Sequence, residues 1–407
     1  MDILYIVPYV PSLIRVRPYN LIHSLAEQGH KITLLTLWTT DSERDEIGKI
    51  KQYCERVYAI HLPRWRSLLN CAVTVPSGVP LQAVYCWQPD LARELTTMIA
   101  NCNGRKPFDV IHIEHLRGVR YGLHARLSDV STPVVWDSVD CISHLFRQAA
   151  RQSKKPLSRL ITQFELRRTE RYESWLLTQF DRVIVTSQAD KEAFINLTTS
   201  PTNNWPLSVL PNGVDLEYFS PGGDDQREPA TLVISGKMSY HANVSMAMHL
   251  YQSILPLIWE HEREVKLWIV GKDPPPEIRE IGKHPAITVT GTVDDIRPYL
   301  RRATVAVAPL TYGAGIQNKV LEAMGCATPV VTTPRAVPAL SVNPGEDILV
   351  AQEPLEFAKK VLMLIKDPDT QREVGEAGRQ YVERNHRWDK VARQLEGIYN
   401  EVIGTRI

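Results

Sequence analysis

Short, almost unbroken apolar runs recur along this chain, and amphipathic stretches separate them. In the first half the runs are residues 3–7, KITLLTL at 31–37, VYAIHL at 57–62, DVIHIEH at 109–115, PVVWDSV at 133–139 and DRVIVTS at 181–187. The stretch 17–28 is typical of what lies between them: Leu21, Ile22 and Leu25 fall at helical spacing, and Gly29 stops the helix. Strands that are apolar on both sides and alternate with helices predict an α/β fold, a parallel sheet covered on both faces. The second half repeats the pattern. TLVISG at 231–236 leads into a helix over 243–262, and VKLWIVG at 265–271, AITVTG at 286–291, ATVAVAP at 303–309 and PVVTT at 329–333 follow. Two α/β domains of similar size are therefore expected. Their joint falls in the polar, Gly/Pro-rich stretch 211–229, and 407 residues suit two domains better than one.

Composition removes several function classes. The 47 basic and 46 acidic residues nearly cancel, which argues against a nucleic-acid binder. The balance conceals an asymmetry: residues 1–210 carry 25 Lys+Arg against 20 Asp+Glu, and residues 211–407 carry 22 against 26. Cysteines at 54, 71, 86, 102, 141 and 326 show no C-x-x-C spacing, so a zinc site or redox dithiol is not expected. The opening MDILYIVPYVP is too short and too early in acid for a signal peptide, and no apolar run is long enough to span a membrane. A cytoplasmic protein is expected, with peripheral contact at the inner membrane face left open.

Ligands of open α/β sheets bind beyond the carboxyl ends of the strands. The most informative strand-to-helix loop is APLTYGAGIQNKVLEAMGCATPVV at 308–331. Gly313 and Gly315 leave room for a ligand against the main chain, and a helix begins near Gln317. Its unpaired N–H groups form an anion site suited to a diphosphate. Lys319 adds a positive charge, and Glu322 could accept hydrogen bonds from two ribose hydroxyls. The bland alternative is a turn shaped by glycines and an i,i+3 ion pair worth a few tenths of a kcal/mol.

The segment EAMGCATPVV resembles the donor-binding motif of family-4 retaining glycosyltransferases, in which two spaced glutamates precede Ala-Met-small-small-x-Pro-Val-Val. GIQNKVLEAM is similar to the version in bacterial exopolysaccharide-associated sugar transferases. PNGVDLEYFSP at 211–221, DRVIVTS, ISGKMSYHANV at 234–244, VTGTVDDIRPYL at 289–300 and WDKVARQLEGIYNEVI at 388–403 extend the resemblance along the chain in the right order. The resemblance implies two Rossmann-like domains facing a central cleft, the architecture called GT-B. Residues 1–212 would bind the acceptor, 213–385 the nucleotide sugar, and 386–407 would form a helix returning to the first domain.

The same resemblance assigns roles. Glu322 would hold the ribose. Gly313, Gly315, Ile316 and Gln317 would offer backbone N–H groups to sugar or phosphate. Gly236 opens the loop that normally carries an Arg and a Lys on the diphosphate; here those positions are Lys237 and Ala242, and Lys319 would supply the second cation. Val293 sits in the segment placed near the nucleotide base. The first glutamate is replaced by Ala314, so Gln317 or Asn318 becomes the nearest polar group to the transferred sugar. In the first domain Arg15 or Arg17 could bind an acceptor phosphate. Glu114 and His115, in HIEH at 112–115, and Asp137 and Asp140 could orient an acceptor hydroxyl, with structural capping as the bland reading for the two aspartates.

The expected activity is transfer of a sugar, with retained anomeric configuration, from a nucleotide diphosphate sugar to an acceptor hydroxyl, in polysaccharide or glycolipid assembly. No cofactor or metal is expected, because VDD at 293–295 lacks D-x-D spacing and the family needs none. The alternatives are a nucleotide-sugar epimerase and a non-catalytic sugar-nucleotide scaffold or sensor. The resemblance implies a lipid-linked or glycan acceptor, and two segments suit contact with an anionic membrane. These are the apolar, aromatic stretch 64–87 and the stretch 146–171, which holds eight Lys+Arg and two Glu.

Overall fold

The computed structural model describes residues 1–100, 107–128, 131–152, 156–198, 205–222, 227–312 and 316–405, with side chains of 151–161 excluded. The chain forms two compact units. Met1–Pro211 with Trp388–Ile407 make the first, and Asn212–Arg387 the second.

The first unit is built on seven strands, β1 (Asp2–Val7), β2 (Lys31–Trp38), β3 (Arg56–His61), β4 (Val110–Glu114), β5 (Val134–Val139), β6 (Arg182–Val185) and β7 (Leu207–Val209). All pair in parallel, in the order β3-β2-β1-β4-β5-β6-β7. Alternate residues feed two separate cores, because successive side chains of a strand point to opposite faces. Leu4, Ile6, Ile111, Ile113, Val134 and Trp136 pack on one side. Ile3, Tyr5, Val7, Ile32, Leu34 and Val110 pack on the other, under helix Val16–Glu27 and the final helix Trp388–Gly404. That final helix supplies Val391, Leu395, Tyr399 and Val402.

The second unit has β8 (Thr231–Ser235), β9 (Lys266–Val270), β10 (Ile287–Gly291), β11 (Val305–Ala308), β12 (Val330–Thr332) and β13 (Leu349–Val350), parallel in the order β10-β9-β8-β11-β12-β13. Both sheets are therefore Rossmann-like, and each reverses its strand order at its first strand. A crevice opens at such a switch point, between β1 and β4 in one sheet and β8 and β11 in the other. The helix expected over 243–262 is instead interrupted. It runs as His241–His249, a π turn at Leu250–Ile254, and Leu255–Trp259. Pro256 explains the widening, since it lacks an N–H and its ring crowds the preceding turn.

Candidate active site

In the second unit, β8 ends at Ser235 and the chain turns at Gly236, whose φ is +133°. A Cβ there would lie 2.9 Å from Asn243 Nδ2 and 3.5 Å from Lys319 Cε, so glycine lets these three elements meet. Lys237 follows, with its side chain exposed and its carbonyl held by Asn243 Nδ2 at 2.9 Å. Across the switch point β11 runs into Leu310, Thr311 and Tyr312. Gly313, Ala314 and Gly315 lie outside the described residues. Ile316 is buried in the core, and Gln317 immediately precedes helix Asn318–Gly325.

Lys319 and Glu322 share this helix, one turn apart. Lys319 Nζ donates to Gln317 Oε1 at 3.3 Å. Burial pulls the Lys319 ammonium down to about 8, with Glu322 opposing the shift. Burial pushes the Glu322 carboxyl up to about 7, with Lys319 opposing. Two partly desolvated, opposite charges on the first turns of a helix at a switch point can meet a diphosphate and a pair of hydroxyls. Asn318 is more constrained, because its Oδ1 accepts Asn212 Nδ2 at 3.1 Å. Val293 lines a cavity of about 510 Å³ with Trp268, Tyr299 and Arg302.

Sequence reasoning missed the groups that join the two loops. His241 Nδ1 and the Tyr312 hydroxyl are hydrogen-bonded and their rings stack at 5.3 Å. Ser245 Oγ and Thr311 Oγ1 are 2.8 Å apart. The signal was present only as polar residues after two strands, and it becomes informative once β8 and β11 are known to be neighbours.

In the first unit, β4 ends at Glu114, which is 1% exposed. The Tyr9 hydroxyl donates to its Oε1 at 2.8 Å and the Tyr5 hydroxyl to its Oε2 at 3.4 Å. Burial, reinforced by the charge of Asp137, pushes its carboxyl up to about 8, with the two tyrosine hydroxyls opposing the shift. His115 has φ of +65°, accepts the Arg117 N–H at 3.2 Å on Nδ1, and is kept neutral by burial, which lowers it to about 3.

Arg17 is not a group offered to an acceptor phosphate. It is buried, its Nε and Nη2 lie 2.8 and 2.7 Å from Asp137 Oδ2, and its Nη1 donates to the Pro211 carbonyl at 3.3 Å. A guanidinium taken out of water needs a carboxylate, and Asp137 provides it. Asp137 Oδ1 also accepts the Val139 N–H at 3.0 Å, holding a β-branched residue at φ +69°. Asp137 is thus a structural group rather than one that orients an acceptor hydroxyl. Asp140 accepts the Thr186 hydroxyl at 3.3 Å, and burial with the nearby Asp190 raises it to about 7. Arg15 stays partly exposed on the loop after β1, paired with Glu43 at 2.7 Å and lying over the Tyr9 ring.

Comparisons with known proteins bear on this geometry. Residues 15–218, half of the chain, match the family model for Glycosyltransferase Family 4, and residues 229–367 match the model for Glycosyl transferases group 1. The lipopolysaccharide core biosynthesis mannosyltransferase LpcC of Rhizobium leguminosarum bv. viciae is 24% identical over 268 residues, 62% of this chain and 73% of that protein. The alpha-maltose-1-phosphate synthase of Mycolicibacterium smegmatis is 36% identical over 116 residues, 26% of this chain and 30% of that protein. Among solved structures, sucrose-phosphate synthase from Thermosynechococcus elongatus matches with a TM-score of 0.70 at 18% identity, over 100% of both chains. Anabaena Alr3699/HepE, solved with UDP and glucose, matches with a TM-score of 0.70 at 14% identity, over 98% of this chain and 100% of that one. At these identities the structural likeness establishes the GT-B fold.

Proposed function

This chain belongs to glycosyltransferase family 4, and from that premise we propose that it moves a sugar from a nucleoside diphosphate sugar to an acceptor hydroxyl with retention of configuration. The observation that carries the reading is the placement of Lys319 and Glu322 on one helix at the switch point of the second sheet. The leaving diphosphate gains charge as the sugar–oxygen bond breaks. Lys319, Lys237 and the first N–H groups of helix Asn318–Gly325 would stabilise that charge, and Glu322 would hold the ribose. With two lysines and a helix N-terminus in this role, the reaction needs no metal ion. Binding of UDP and glucose by HepE supports a nucleotide-sugar donor. The role named for LpcC supports polysaccharide or glycolipid assembly, with a lipid-linked or glycan acceptor. The test is to incubate the purified protein with a panel of nucleoside diphosphate sugars and follow nucleoside diphosphate release, with and without a chelator, then assign the product anomer by NMR. Release that persists in chelator and a product with the donor's anomeric configuration are expected. An inverted product, or a strict need for Mg²⁺ or Mn²⁺, would overturn the proposed chemistry.

A further inference from the structure

Helix Arg64–Thr74 is turned inside out. Its inward stripe is Ser67, Asn70, Cys71 and Thr74, all small or polar and spaced at i, i+3, i+4, i+7. Asn70 Nδ2 donates to the Trp87 carbonyl at 2.8 Å, and the Thr74 carbonyl accepts Arg168 Nη2 at 2.8 Å. The outward stripe is Trp65, Leu68, Leu69, Ala72 and Val73. Trp65 is 58% exposed, Leu68 68% and Val73 69%, and Val75 continues the surface. A monomer leaves large apolar side chains in a contiguous stripe only where something covers them.

A second exposed stripe lies on the helix that contacts its carboxyl end. Arg168 joins the end of helix Arg64–Thr74 to helix Pro156–Leu176 and lies over the ring of Phe164. Phe164, Arg167, Arg171 and Trp175 follow at i, i+3, i+7 and i+11 on that helix, and all four are exposed. The acids of the same helix are engaged elsewhere. Glu165 binds Arg168 and the Leu81 N–H, Glu170 pairs with Arg147, and Glu173 takes the N–H groups of Ile142 and Ser143. Helix Arg64–Thr74 carries no acid at all and begins with Arg64 and Arg66.

We propose that these two helices form a docking surface for an anionic lipid bilayer. Tryptophan and leucine would enter the headgroup and acyl boundary, while the arginines extend to lipid phosphates. A second copy fits less well, since a twofold contact would bring two basic stripes together. The surface is placed for use. Helix Arg64–Thr74 directly follows the carboxyl end of β3, and the adjoining Tyr85 lies under Arg117, just beyond the carboxyl end of β4. The proposal deepens the lipid-linked acceptor reading and rests on it only for its purpose.

The experiment is cosedimentation with vesicles of phosphatidylglycerol and phosphatidylethanolamine, against phosphatidylcholine alone, at low and high salt and without donor or acceptor. Failure here therefore leaves sugar transfer standing, and failure of sugar transfer leaves this result standing. Binding to the anionic vesicles, weakened by salt, is expected. Arg167→Ala with Arg171→Ala should reduce it about 30-fold, from the usual contribution of each basic residue near an anionic surface. Leu68→Asp with Leu69→Asp should abolish it while leaving the thermal unfolding unchanged, since both side chains are exposed. Equal or negligible binding to both vesicles, unchanged binding in either variant, or a concentration-dependent dimer lost in the Leu68/Leu69 variant would each overturn the proposal.

Discussion

Lys319 and Glu322 are both partly desolvated, and their ionisation should govern donor capture. Glu322 is a carboxylate only above about 7, and Lys319 an ammonium only below about 8. The profile of kcat/KM for the donor against pH is therefore expected to be a narrow bell, its limbs belonging to the coupled pair in the free enzyme. Lys319→Arg should remove the alkaline limb, because a guanidinium keeps its proton. A flat wild-type profile from about pH 6 to about pH 9 would show that neither group controls capture. These two residues were legible in the sequence because their spacing on a helix after a glycine-rich turn is local information. Arg17 was not. Its partner Asp137 lies 120 positions away, and only the order of the strands brings them together. His241 and Tyr312 were hidden for the same reason, since a pattern confined to one segment does not say which loops share a crevice.

At the scale of elements, the final helix is tied to the first unit by Gln28 on the Asp389 carbonyl, by Arg182 on Glu401 and by one fully buried polar contact. The Tyr399 hydroxyl lies 2.8 Å from His112 Nδ1, both groups are buried, and they are 287 positions apart in the chain. Tyr399→Phe would leave a buried imidazole nitrogen unpartnered at a cost of about 1–3 kcal/mol. Chemical denaturation should register that loss, and amide exchange should quicken in residues 388–404. Unchanged exchange there would show that the buried contact does not seat the helix. The family resemblance pointed to this helix, and periodicity located the one at Val16–Glu27. What periodicity leaves open is which face is buried. The apolar 65/68/69/72/73 stripe is left exposed and 67/70/71/74 turn inward, with Asn70 Nδ2 on the Trp87 carbonyl and Arg168 on the Thr74 carbonyl. It also gave one continuous helix over 243–262, because the effect of Pro256 on the turn before it is geometric.

Across the whole molecule, one topology is used twice, and the last helix belongs to the first unit rather than to the unit it follows in sequence. Alternation of strands and helices revealed both sheets. It missed β7 and β13, edge strands of three and two residues that are too short to show a period. Deleting residues 388–407 would strip Val391, Leu395, Tyr399 and Val402 from the first unit's core. Limited proteolysis should then degrade residues 1–211 and spare 212–387, and equal resistance of both would contradict the assignment. The proposed chemistry of sugar transfer places the donor at the second unit's switch point. The most direct test measures nucleoside diphosphate release from the best donor by the wild type, Glu322→Ala and Lys319→Ala, alongside donor affinity by calorimetry. Glu322→Ala should lose about 1–3 kcal/mol of donor binding. Lys319→Ala should lower kcat more than it raises KM, because its partner gains charge in the transition state. Folded variants that bind and turn over the donor as the wild type does would contradict the account.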